Sequence, residues 1–459
     1  MISFWEIARR AEFGPMMKEE DFDMRLARTA MELAKEHDIT YDPSVYVSSD
    51  DGLADEVWQA GIELLTRCGV YNASNKRVIE IKEEEIKEAL KHARGEIEVG
   101  KGKDRVRIRA RGVEGSDPPT IISGPFGVET TIEAFVPMNQ AFAQEPLIDV
   151  LFHGGHIQSL NGVETIRANS AFEVIAARLY AELMNQALVL AGRPFMPQVW
   201  IPGGVGDLNE LAAEGAQIHN REDIFLTMLL LPELKVNDYK LSEVAHFMNF
   251  GHTIYGGATP VIGGYAGGPD TAAIVAVATN LALKLVARAD LIHIGPQHFR
   301  YRSQTNPASL WMNSVMGQAV ARNSKLITTT SVTTAGRPGS MQMHLEAAAL
   351  AICSVVSGRN LLGPRPAQPL YPNHHNPLHS RLFAEVAKAA TRLKREDANE
   401  IVARIVSTYK DTMDFDKSPK GKTFEQSYDV KTLKPTEENL KLYEEARAKL
   451  IDFGLEIEG

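Results

Sequence analysis

An α/β fold closed as a TIM (β/α)8 barrel is the architecture the sequence predicts, and three observations predict it. From residue 119 onward, short apolar or β-branched runs alternate with longer runs of helical spacing. Eight such short runs fall over roughly 250 residues, a count that suits a closed barrel better than an open doubly wound sheet. The intervening helices are amphipathic: Ile274, Val277, Leu281 and Leu285 form one stripe. The open sheet uses the same alternation and is the competing arrangement.

The elements follow in order. Residues 21–36 and 53–67 have helical spacing, and Glu83 to Arg94 reads as a charged helix. Glu96-Ile-Glu-Val and Arg105-Val-Arg-Ile-Arg then alternate at period two around Gly100-Lys-Gly. Residues 1–115 are therefore expected to form a helical segment closed by a β-hairpin, ahead of a barrel over 116–394. Barrel strands are expected at Thr120-Ile-Ile-Ser, Leu147 to Phe152, Gln198-Val-Trp-Ile, Ile224 to Leu231, Thr259-Pro-Val-Ile-Gly, Leu291-Ile-His-Ile-Gly, Leu326 to Ser331 and Asn360-Leu-Leu-Gly. Helices are expected at Ser170–Ala191, Leu241–Phe250, Asp270–Asp290, Pro307–Arg322, Met341–Ser357 and Leu378–Leu393. Residues 395–459 read as a charged helical extension, with a loop at Lys417-Ser-Pro-Lys-Gly-Lys before a last helix, Thr436–Phe453.

Composition narrows the functional classes. With 49 basic and 59 acidic residues the net charge is −10, and no basic tract offers a footprint for nucleic acid. Two distant cysteines, Cys68 and Cys353, make no disulfide framework and point to a reducing compartment. The start, MISFWEIARRAEFG, lacks the apolar core of a signal peptide, and no run reaches the ~18 apolar residues of a membrane span. A cytoplasmic enzyme with no membrane contact is expected.

In such a barrel the chemistry lies just beyond the C-terminal ends of the strands. That rule selects His153-Gly-Gly-His156, Trp200-Ile-Pro-Gly-Gly, Gly264-Tyr265, Pro296-Gln297-His298-Phe299-Arg300, Thr333-Thr334-Ala335-Gly336-Arg337 and Arg365. His153, His156 and His298 are candidates for a general acid, for zinc ligands, or for neutral hydrogen-bonding groups. A zinc site there needs a third ligand from His298, His344 or the Asn373-His374-His375 loop. Arg300, Arg302 and Arg337 are candidates to clamp a carboxylate. Tyr265 is a candidate ligand floor or a plug of the barrel mouth. Around it, Gly263-Gly264-Tyr265-Ala266-Gly267-Gly268 leads into a helix, and Gly264 and Gly267 leave room for a large flat cofactor against backbone. The acidic run Lys82-Glu83-Glu84-Glu85 reads as a solvated helix N-terminus.

The glycine-rich segment, Phe172-Glu-Val-Ile-Ala-Ala, Ala191-Gly-Arg-Pro194, and Gly421-Lys-Thr-Phe through Pro435-Thr-Glu-Glu together resemble the monomethylamine:corrinoid methyltransferase family of methanogenic archaea, over nearly the whole chain. The resemblance implies a TIM barrel that forms homo-oligomers and delivers a methyl group to the Co(I) corrinoid of a separate small carrier protein. No corrinoid-binding domain is visible in this chain, so a partner is expected to supply the cobalt. The chain departs from the family where the family carries pyrrolysine: the matching positions are Val199 or Trp200. Family glutamates fall at Thr227 and Gly257, and a family glutamine and tyrosine near Ser331 and Thr333.

These departures shift the expected donor. A quaternary ammonium leaves as a neutral amine and asks only for a cation pocket, whereas an aryl methyl ether leaves as a phenolate and profits from an acid or a Lewis acid. With His153, His156, His298, Tyr265, Gln297, Arg300, Arg337, Ser331 and Thr333 offered, the sequence favours O-demethylation of a methoxylated aromatic compound. A quaternary amine boxed by Trp200, or methylamine itself, is the alternative donor. A metal-dependent hydrolase and a non-catalytic binder of the corrinoid carrier are the other classes.

Overall fold

The structure is a computed structural model of the chain and describes residues 2–152, 157, 159, 162, 163, 166–200 and 224–458. Eight parallel strands close into a barrel: β1 (Ile121–Ser123), β2 (Val150–Phe152), β3 (Gln198–Trp200), β4 (Ile224–Leu229), β5 (Thr253–Ala258), β6 (Leu291–Ile294), β7 (Thr328–Thr334) and β8 (Asn360–Pro366). Each strand neighbours the next in sequence, and β8 returns to β1 through Leu362 opposite Ile122. The open doubly wound arrangement is thereby excluded.

Seven strands lie where the sequence placed them, and the fifth does not. The expected Thr259-Pro-Val-Ile-Gly contains only Val261–Ile262, which pairs with Gln297–His298 outside the barrel. The barrel strand precedes it, and its Gly256-Gly257 pair gives it the look of a turn. Both glycines are demanded by packing. A Cβ on Gly256 would sit 2.5 Å from the Ala289 Cβ, and one on Gly257 2.7 Å from Leu229 Cδ2 and 3.2 Å from His293 Nδ1. Two helices also escaped the sequence, Phe4–Phe13 and Ile132–Ala143, the second because Pro137 lies inside it.

The barrel interior is closed from below. Ile122, Val150, Val199, Phe225, Tyr255, Leu291, Ile327 and Leu362 form one apolar cluster, and the hairpin Glu96–Val99 with Val106–Arg109 inserts Ile97, Val99 and Ile108 into it. Asn360, the first residue of β8, donates to the Arg109 carbonyl at 2.9 Å, and Arg193, just before β3, reaches Asp104 at 3.2 Å. The predicted hairpin is thus a plug at the N-terminal end, as the even/odd alternation of its side chains requires.

The rest of the N-terminal segment is continuous with the barrel. Ile7, Phe22, Leu26 and Leu65 share one core with Ala273 and Val277 of the helix Pro269–Leu285. Gly61 allows the helix Asp51–Cys68 to approach it, since a Cβ there would lie 2.3 Å from Val277 Cγ1. The C-terminal extension holds the opposite face, where Tyr409 donates its hydroxyl to the Thr305 carbonyl at 2.8 Å. Among the described residues no helix is long and apolar enough to cross a membrane.

Gly256→Val is expected to destabilise the barrel by about 1–3 kcal/mol, the usual cost of overpacking. The urea midpoint measures it, with Gly112→Ala as the control because a Cβ there meets nothing within 4 Å.

Candidate active site

Above the plug the inner faces of the strands become aromatic and polar. Phe126 meets Phe152 at 4.5 Å between ring centres, Phe152 meets Tyr255 edge-on at 6.0 Å, and Tyr255 stacks on His293 at 5.8 Å. The row thus spans β1 to β6. Arg365 of β8 lies over the Phe126 ring at 5.7 Å. Thr333 stands opposite Arg365 in register, and its hydroxyl lies 3.3 Å from that of Ser331 across a bulge in β7. Thr227 donates to the Trp200 carbonyl at 2.7 Å.

No Asp or Glu occurs in any of the eight strands. The charge they present at the mouth is therefore the Arg365 cation. Burial pushes the His293 imidazole down to about 3, helped by Arg359 and Arg365, so it faces the interior as a neutral ring.

The rim on the β6–β7 side is held by one buried carboxylate. Glu346, on the helix Met341–Val356, accepts from the Ala335 and Gly336 amides at 2.7 and 2.9 Å, from Gln342 at 2.7 Å and from the Thr305 hydroxyl at 2.5 Å. All four partners are donors. Burial raises the proton affinity of Glu346 and these donors oppose it. Gln304 secures the strand itself: its amide donates to the Thr333 carbonyl at 2.9 Å and its side-chain oxygen accepts from the Thr333 amide at 3.1 Å.

The residues expected from sequence divide into groups. Ser331 and Thr333 lie on β7 with their hydroxyls turned toward each other. Gly264, Gly267, Tyr265, Gln297 and His298 lie together on a lip beside the mouth, where Val261–Ile262 pairs with Gln297–His298. The glycine turn closes on itself through Gly263 to Gly267 at 2.8 Å, with φ of +91° and +76°, and this leaves Tyr265 projecting. His298 accepts from the Arg300 amide at 3.1 Å, and burial lowers its proton affinity. The Gln297 side chain donates to the Arg302 carbonyl. His153 and His156 lie outside the described residues.

Three expectations are corrected. Trp200 points away from the barrel interior and packs edge-on against Tyr180 at 5.7 Å, because its neighbour Val199 takes the inward position. Arg300 is occupied on the surface by Asp414, with two contacts of 3.0 Å. Arg337 is buried under the C-terminal extension, donating to the carbonyls of Gln368, Ser418, Pro419 and Phe415. Neither arginine is free to clamp a ligand.

The sequence reading missed Phe126, Tyr255 and His293. His293 was legible, because alternation from Leu291 places it on the inner face.

Four further histidines gather outside the strands. His344 and His379 lie with ring centres 4.0 Å apart, tilted by 32°, and His379 accepts from the Gly339 amide at 2.8 Å. His375 donates to the Pro364 carbonyl at 2.7 Å, and His374 accepts from the Leu370 amide at 3.0 Å. Burial pushes His344 down to about 3, and His374 and His375 to about 4. Among the described residues no group of three or more His, Cys, Asp or Glu side chains converges to hold a metal ion.

This is a (β/α)8 barrel whose eight strands carry no Asp or Glu and whose inner face is aromatic and polar. The chain belongs to the monomethylamine methyltransferase MtmB family, whose model matches residues 2–455. It is 30% identical to monomethylamine methyltransferase MtmB1 of Methanosarcina acetivorans, covering 97% of this chain and 96% of the relative. A second relative, MtmB of Methanosarcina mazei, is 29% identical over the same shares. The crystal structure of the Methanosarcina barkeri monomethylamine methyltransferase superposes with a TM-score of 0.94 at 28% identity, covering 99% of this chain and 98% of that one. A hydroxylamine complex of MtmB superposes equally well, with a TM-score of 0.94. The chain is thus a methyltransferase of this family on a TIM barrel.

Two predictions follow from the rim. Glu346→Gln presents an amide donor to a site made of donors, and should cost about 1–3 kcal/mol in a urea melt. For the buried histidines the folded proton affinity is depressed, so between pH 6.5 and about 4 the unfolded chain binds protons that the folded chain does not. Stability should be full above pH 6.5 and fall as the pH drops toward 4, on the order of 1–2 kcal/mol per histidine by pH 5. His344→Leu should make that decline shallower in melts taken across the range.

Proposed function

We propose that this protein transfers a methyl group from a small methylated amine to the reduced corrinoid of a separate carrier protein. The family match over residues 2–455 carries the reading, and the relatives' names supply the donor class. The O-methyl donor favoured by the sequence relied on His153, His156, His298, Tyr265 and Arg337; Arg337 is engaged by the C-terminal extension, the relatives are named for monomethylamine, and this donor now stands behind the amine.

The lip is where a flat macrocycle would rest: Tyr265 and Phe299 are 47% and 72% exposed beside the glycine turn. Gly264, Gly267, Tyr265 and Phe299 would meet the corrin. When bound, reduced cobalt supplies the nucleophile that accepts the methyl carbon.

The residues of this chain do the rest. Phe126, Phe152 and Tyr255 form a buried aromatic layer beneath the mouth, and a donor above it meets no carboxylate from any of the eight strands. The breaking carbon–nitrogen bond leaves its electron pair on nitrogen, so a quaternary donor departs as a neutral amine and needs no acid. The plug and the apolar layer below it keep water from entering at the N-terminal end, and the fixed rim limits the donor to one orientation.

Incubating the protein with a reduced corrinoid carrier and single donors tests this. Methylated amines should convert the Co(I) spectrum to that of methyl-Co(III). Conversion by methoxybenzoates alone would replace the amine reading, and no conversion by any donor would end it.

A further inference from the structure

The exceptional side chain of the mouth is Arg365. Among the described residues, Arg111, Arg337 and Arg359 are buried arginines whose guanidiniums are bonded to oxygen, while buried Arg288 reaches only the Ile2 carbonyl. Arg111 donates to the carbonyls of Val355, Arg359, Gly115 and Asp117. Arg337 takes four carbonyls, and Arg359 takes the side-chain oxygen of Asn313 and the carbonyls of Ile294 and Thr329. Their charge is met by oxygen, as burial demands.

Arg365 has no such oxygen. It is partly buried on β8, burial depresses its proton affinity, and among the described residues its guanidinium has the Phe126 ring as its contact, with no carboxylate or carbonyl bonded to it. Space for it is built in. Gly127 has φ of +72°, and a Cβ there would lie 2.7 Å from Arg365 Nη1. The hydroxyls of Ser331 and Thr333 stand on the adjacent strand, and no strand carries an acid to neutralise the cation.

We propose that Arg365 binds an anionic group of the methyl donor, so that the donor is a methylated molecule bearing a carboxylate rather than bare methylamine. The inference rests on the methyltransferase reading and narrows its substrate class. A forked guanidinium takes a carboxylate through two parallel hydrogen bonds. The aromatic row from Phe126 to Tyr255 then lies beside it for the methylated end. An N-methylated amino acid and a methoxybenzoate share this chemistry.

Titration calorimetry on the full chain at pH 7, without any corrinoid, reads the anion directly. The probes are trimethylglycine against choline, 4-methoxybenzoate against 4-methoxybenzamide, and methylammonium. Each pair keeps the methylated end and removes the carboxylate. The carboxylate member of at least one pair should bind roughly tenfold or more tighter than its carboxylate-free counterpart and than methylammonium. Which pair responds separates the amino acid from the aromatic donor.

Arg365→Gln should abolish that preference, whereas Arg365→Lys should keep part of it, because the charge survives and the fork does not. Equal binding within both pairs overturns the proposal, as does an Arg365→Gln protein that melts like the wild type and retains the preference. Should Arg365→Gln fail to fold, the wild-type pairs decide alone. Absence of methyl-Co(III) with every donor would overturn the parent activity, and the binding result would still judge Arg365.

Discussion

The geometry of the mouth depends on a single carboxylate that never reaches solvent. Glu346 joins the loop after β7, through Ala335 and Gly336, to the loop after β6, through Thr305. Gln342 and Thr305 extend the same network to Thr412 and Tyr409 of the C-terminal extension. A buried ion is costly unless its lone pairs are filled, and here four donors converge on it. The consequence is geometric. Loops at the end of a barrel are usually its most adaptable parts, yet these two are tied to a helix and to the tail, so Ser331, Thr333 and Arg365 project from a fixed edge.

The C-terminal extension is accordingly part of the rim. Arg337 donates to four carbonyls, three of them in the 415–419 loop, and Asp414 takes Arg300. Both arginines were drawn into binding the chain to itself. That commitment engages two positive charges of the rim and leaves Arg365 as the charged side chain carried by the eight strands.

Periodicity made the barrel legible, because alternation of short and long apolar runs is set by burial and needs no register. It failed at Gly256-Gly257, where close packing by Ala289 and Leu229 required residues that read as a turn. The site was less legible for a related reason. Whether a residue near a strand end faces in or out changes with a shift of one position, so Trp200 was assigned to a pocket that Val199 faces. The Arg-Pro dipeptides at 193, 337 and 365 make the same point. Arg193 precedes its strand, which places it at the plug end from sequence alone, whereas only three-dimensional register separates Arg337, which serves the tail, from Arg365 on β8.

Charge balance connects these observations. A pocket for a methylammonium cation can be built from carboxylates or from aromatic faces, and this barrel has only the second on its strands. Aromatic faces alone are indifferent to what else the ligand carries. A desolvated guanidinium is not, because it repels a bare cation and rewards an anion held at a fixed distance from the ring row. In the proposal above, the lack of Asp and Glu on the eight strands and the presence of Arg365 act in the same direction: each would make a simple cationic donor a poorer ligand and a donor of balanced or negative charge a better one.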